Sequence, residues 1–113
     1  MAYYTEEDVS VTIRNGVRAL LKRPGVRAVF LFGSQAEGTA GPDSDIDLGV
    51  FVEGAQEWDI WKRVEFAVAI QKEAGDRIEP HVFPASALEH AEPGSFAEFV
   101  VEHGRRIDLN SGQ

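Results

Sequence analysis

Residues 33–48 read GSQAEGTAGPDSDIDL. A glycine-serine turn, Gly33-Ser34, stands at one end, and the alternation Asp45-Ile46-Asp47-Leu48 stands at the other. Side chains two apart on a strand share a face. Asp45 and Asp47 therefore project together, while Ile46 and Leu48 point into a core. Oxygen ligands that project together suit Mg²⁺, which takes one or two carboxylates and leaves its other positions to water and phosphates. At the other end, glycine lets the backbone approach a ligand closely. Free N–H groups where a helix begins attract anions, and the Ser34 hydroxyl adds a donor. A lone Gly-Ser turn is ordinarily only a turn, and alternating charge is common on a solvated strand face. The conjunction gives the segment its weight. Two aspartates inside an apolar strand oppose strand propensity, and they lie one strand away from a turn suited to phosphate. The chain has neither a Walker A lysine nor a GxGxxG run, which removes the P-loop and Rossmann readings.

The flanking sequence reads as alternating helices and strands. Thr5 with Asp8 forms a capping pattern, and Val9, Ile13, Val17, Leu20 and Leu21 follow at helical spacing until Pro24-Gly25. Residues 26–32 (VRAVFLF) form a buried strand. A short helical turn is expected over residues 35–38, a loop around Gly41-Pro42-Asp43, and a second strand over residues 45–52. Residues 58–74 form a helix with Ile60, Trp61, Val64, Ala67, Val68 and Gln71 along its apolar side, and Phe66 and Ile70 lie round from it. Residues 77–83 (RIEPHVF) form a third strand, expected at a sheet edge or with a bulge because Pro80 cannot donate a ladder hydrogen bond. After an irregular stretch, Ser95 caps a last helix with Phe96, Phe99, Val100 and His103 on one face, ending at Gly104. Residues 110–113 are expected to be disordered. The order is αβαβαβα: an α/β (α+β) chain with a small mixed sheet of three strands or slightly more, flanked by helices.

Bulk composition bounds the function. A chain of 113 residues is read as one domain over 1–113. With 19 acidic and 11 basic residues the formal net charge is −8, so general affinity for nucleic-acid backbone is not expected. There are no cysteines, which removes disulfides and thiolate metal sites and suits a reducing compartment. No apolar run reaches membrane-span length, and residues 1–8 lack the basic start of a signal peptide. The expected location is the cytoplasm.

A two-metal site wants a further carboxylate to bridge and neutralise the ions. Glu79, in the middle of the third strand, is the candidate, as a metal ligand or as a general base. Asp76 is second, but its position suits a turn. The plain alternative for Glu79 is an edge-strand charge that blocks aggregation. His81 shares the face of Glu79 and reads as a surface or packing histidine. Trp58, Trp61, Phe96 and Phe99 offer an interface patch, although aromatics at helical spacing read first as core.

The segment GSQAEGTAGPDSDIDLGV resembles the signature of the polymerase-β-type nucleotidyltransferase superfamily, in particular its minimal nucleotidyltransferase (MNT) branch. The pattern is Gly-Ser, a short spacer ending in glycine, Asp-x-Asp on the next strand, and a third carboxylate on the strand after. The resemblance implies a polymerase-β-like fold. It also implies that Gly33 and Ser34 contact the triphosphate of ATP, that Asp45 and Asp47 bind two Mg²⁺ ions and the nucleotide, and that Glu79 is the third acid. Small MNT proteins are similar to the antitoxins of HEPN–MNT toxin–antitoxin pairs. This implies transfer of AMP to a tyrosine of a partner HEPN ribonuclease, with a homodimer or a hetero-oligomer with the toxin as the expected assembly. Gln35 and Glu37 stand where relatives often carry a basic residue, and Glu79 stands where they usually carry Asp. These departures motivate a second reading, a binding-only antitoxin that occludes its partner. A third reading is transfer to a small-molecule hydroxyl, disfavoured because no acceptor-binding domain is evident.

Overall fold

A four-stranded sheet of order β3-β2-β1-β4 forms the centre of the molecule. The computed structural model describes residues 6–38 and 44–109, with side chains from residue 9 except that of 37. The strands are β1 (Val26–Phe32), β2 (Ile46–Val52), β3 (Ile78–Pro84) and β4 (Arg105–Ile107). β1 runs antiparallel to β2 and β4, whereas β2 and β3 are parallel. A parallel pair needs a crossover, and α3 (Ile60–Ala74) provides it. The architecture is the small mixed sheet flanked by helices expected from the sequence.

Strand alternation gives the sheet two faces of different character. Val29, Leu31, Ile46, Leu48, Val50, Val52 and Ile78 are buried on one face. There they meet α1 (Glu6–Leu21), through Ala19 and Leu20, and α3, through Phe66 and Ile70. Ala28, Phe30, Phe32 and Phe51 lie on the other, covered by Ala87 of α4 (Ala87–His90) and by Ala97 and Val100 of α5 (Phe96–His103). Gly49 permits that covering. A Cβ there would lie 2.7 Å from Val100 Cγ1, so any side chain would push α5 away from the sheet.

Several local expectations are met. β1 spans the expected residues, β3 is an edge strand as Pro80 requires, and Ser95 caps α5, its Oγ accepting from Glu98 N at 3.2 Å. Asp59 caps α3, accepting from Lys62 N at 2.8 Å, so that helix begins at Ile60 rather than at residue 58. β2 begins at Ile46, leaving Asp45 as the last residue before the strand. A 3₁₀ turn, Ala55–Glu57, occupies the connector before α3. β4 was not expected. Its three residues, Arg105–Ile107, pair with the otherwise free edge of β1.

The buried face of α3 differs from the expected one. Ile60 is 65% exposed and Trp61 75%, and Val64 and Val68 are also exposed, while Phe66 and Ile70 are buried. The polar residues facing inward explain the difference. Arg63 donates to the carbonyls of Val82 at 2.8 Å and Ala55 at 3.0 Å, and Gln71 Nε2 donates to Ile78 O at 2.9 Å. In α5, likewise, Ala97 and Val100 are buried, whereas Phe96 and Phe99 are half-exposed. The capping role of Thr5, the loop at Gly41-Pro42-Asp43 and the expected disorder of 110–113 fall outside the described residues. Among the described residues no helix is long and apolar enough to cross a membrane.

Candidate active site

The sheet register brings the site together. Phe32, at the end of β1, is opposite Asp47, and Asp47 is opposite Glu79. One step further along, Gly49 is opposite His81. Asp47, Glu79 and His81 therefore share the sheet face that α5 covers, at the end where α5 begins. Phe96, its first residue, closes against Phe32 and His81 with ring centroids 5.5 and 5.6 Å away. The carboxylates lie just beyond this aromatic border.

Gly33 forms the other wall. It precedes α2 (Ser34–Glu37) with φ 76°, a left-handed value that disfavours any residue with a Cβ. A Cβ at this position would lie 2.6 Å from Asp47 Oδ2. Glycine is thus required twice over, for the turn and for the close approach of backbone to carboxylate. α2 is a single turn of four residues, so its macrodipole is small. What it offers an anion is the local N–H groups of the turn and the Ser34 hydroxyl.

Asp47 is held by His81, whose Nε2 lies 3.1 Å from Asp47 Oδ1. Glu79 is pushed above the usual carboxylate range, chiefly by burial. His81 opposes that shift, whereas the Asp47 charge and a hydrogen bond and charge from Asp45 reinforce it. Asp45 is exposed and joins the group through Glu79. Its backbone is held on both sides. Arg77 Nε and Nη2 donate to Ser44 O at 3.1 and 2.7 Å, and Ile46 N donates to Arg77 O at 2.7 Å. Arg77 is therefore a positioning residue for Asp45.

The sequence-expected residues Gly33, Asp45, Asp47 and Glu79 converge on one spot, with Ser34 adjoining Gly33 along the chain. Asp76 is exposed in the turn before β3, outside this group. The sequence reading undervalued His81, although its i, i+2 relation to Glu79 was the available signal. Arg77 carried no signal, because its role depends on the parallel β2–β3 pairing.

The donor set suits a divalent cation. One ligand atom from each of Asp47, Glu79 and His81 lies within 4.8 Å of the others. Two carboxylates and an imidazole so grouped fit a dication, and the missing Cβ of Gly33 keeps the approach to Asp47 clear.

Comparison with known proteins bears on the family and the fold. A family model described as "Nucleotidyltransferase domain" matches residues 12–107. No curated protein matches the chain. Among solved structures, a Sulfolobus solfataricus protein assigned as a nucleotidyltransferase aligns with TM-score 0.52 at 19% identity, over 73% of this chain and 78% of that one. At that identity the likeness bears on fold alone. A second structure, described as a toxin–antitoxin with AMP-PNP, aligns with TM-score 0.56 at 26% identity, over 82% of this chain and 70% of that one.

Proposed function

The chain belongs to the nucleotidyltransferase domain family, and from that premise we propose that it transfers AMP from ATP to a hydroxyl of a partner protein. The observation that carries the reading is the convergence of Asp45, Asp47 and Glu79 beside the Gly33 turn. The acceptor is a tyrosine of a HEPN ribonuclease, and the chain acts as the antitoxin of that pair. The likeness to a toxin–antitoxin structure containing AMP-PNP supports this finer reading, as does the resemblance of the signature to MNT antitoxins.

The reaction forms a bond from the acceptor oxygen to the α-phosphorus of ATP. It breaks the bond from that phosphorus to the bridging oxygen of the β-phosphate, and pyrophosphate leaves. Gly33 and Ser34 present donors to the triphosphate. Asp45, Asp47 and Glu79 would hold two Mg²⁺ ions, which when bound neutralise the polyphosphate and stabilise the charge developing on the leaving group. In the alternative assignment Glu79 leaves the ions to Asp45 and Asp47 and takes the acceptor proton as general base. The reading puts the protein in the cytoplasm beside its partner.

A label at the α-phosphate of ATP should appear on the partner, and a label at the γ-phosphate should not. Label arriving from the γ-position would identify a kinase and end the reading. One observation favours a second reading in which the protein inhibits by occlusion. The α3 face carries Trp61, Val64 and Val68 outward, surface suited to docking whether or not transfer occurs. Under that reading Asp47→Asn still inhibits the partner in stoichiometric mixtures.

A further inference from the structure

His81 stands between the aromatic border and the carboxylates. Its ring is seated by edge contacts with Phe32, centroids 5.1 Å apart, and with Phe96, 5.6 Å apart. These contacts turn Nε2 toward Asp47 Oδ1, 3.1 Å away. Two neighbouring ligands of an octahedral ion with bonds of about 2.1 Å lie about 3 Å apart. The histidine–aspartate pair already has that spacing. The Glu79 carboxylate completes a group whose ligand atoms all lie within 4.8 Å of one another.

We propose that His81 is a protein ligand of the dication held by Asp47, and that it biases the site toward first-row transition-metal dications over Mg²⁺. The inference rests on the nucleotidyl-transfer reading and extends it to the identity of the metal. Its basis is ligand chemistry. Mg²⁺ is hard, prefers oxygen and dehydrates reluctantly, whereas imidazole nitrogen favours the first-row transition metals. A site of carboxylates alone would lack this discrimination.

The test is pulsed EPR of Mn²⁺ alone, bound to the full chain at saturating concentration, with titrations of Mn²⁺ and Mg²⁺ against wild type, His81→Asn and Asp47→Asn. The expected wild-type spectrum carries the hyperfine coupling of a directly bound imidazole nitrogen. In His81→Asn the coupling vanishes and Mn²⁺ binding weakens by roughly tenfold, with a smaller change for Mg²⁺. Mn²⁺ that binds without nitrogen coupling in wild type, and is lost in Asp47→Asn, would overturn the role of His81 and leave the nucleotidyl-transfer reading standing. Absent Mn²⁺ binding, or binding indifferent to both substitutions, would overturn both. The wild-type spectrum decides the matter even if a variant fails to fold.

Discussion

At the residue scale, the site stores electrostatic tension that a cation would relieve. Glu79 has its proton affinity raised above the ordinary value of 4.5, first by burial and then by Asp47 and Asp45. The folded protein thus binds that proton more tightly than the unfolded chain does. By linkage, stability falls as pH rises through the folded-state value, and the penalty is fully present above it. Below 4.5 the penalty is absent. Without a dication, Glu79→Gln should therefore melt above wild type near neutral pH, with the gap closing as pH falls toward 4.5. Thermal melts across that window check the sign, and a wild type that melts higher at neutral pH would show that Glu79 is not destabilising. Gly33 gives a second prediction. Alanine there meets φ 76° and a carboxylate oxygen 2.6 Å from its Cβ. Gly33→Ala should cost about 1–2 kcal/mol of stability. It should also slow transfer by about a hundredfold through displacement of Asp47, measured by denaturant titration and single-turnover labelling.

At the element scale, the legible parts were those dictated by local pattern. β1, β2 and β3 announce themselves as apolar runs, and Pro80 places β3 at the edge. Asp45, Asp47 and Gly33 were legible because glycine and paired aspartates beside buried strands are locally unfavourable. β4 was not, because Arg105–Ile107 has no apolar pattern and is ordered by pairing with a strand far away in sequence. The α3 face was misread because hydropathy places Arg63 outside, whereas its side chain satisfies the carbonyls of Val82 and Ala55. Tertiary hydrogen bonds of that kind leave no periodic trace. His81 was visible on the right face, but its partner Asp47 is set by the parallel register. Gly49 carries the prediction at this scale. Gly49→Ala brings a methyl to 2.7 Å from Val100 Cγ1 and should shift α5. A cost of about 1–3 kcal/mol is expected in chemical denaturation, as for overpacking elsewhere. A neutral result would mean that α5 does not close tightly on the sheet.

At the scale of the whole molecule, an acidic chain with net charge −8 carries an exposed apolar stripe on α3 and a carboxylate site on the opposite face of the sheet. Trp61, 75% exposed, contributes little to the fold. Trp61→Ala should change stability by less than about 0.5 kcal/mol, yet weaken partner binding by about 2 kcal/mol or more if the stripe is the docking face. Calorimetry of the variant and of its complex separates the two effects. The account as a whole stands on transfer chemistry at Asp45, Asp47 and Glu79. Its most direct test is the intact mass of the partner after incubation with ATP and a dication, beside wild type or Asp47→Asn. The account predicts a partner heavier by whole AMP units with wild type and unchanged with Asp47→Asn. An unmodified partner with folded, metal-loaded wild type, or equal modification with Asp47→Asn, would contradict it.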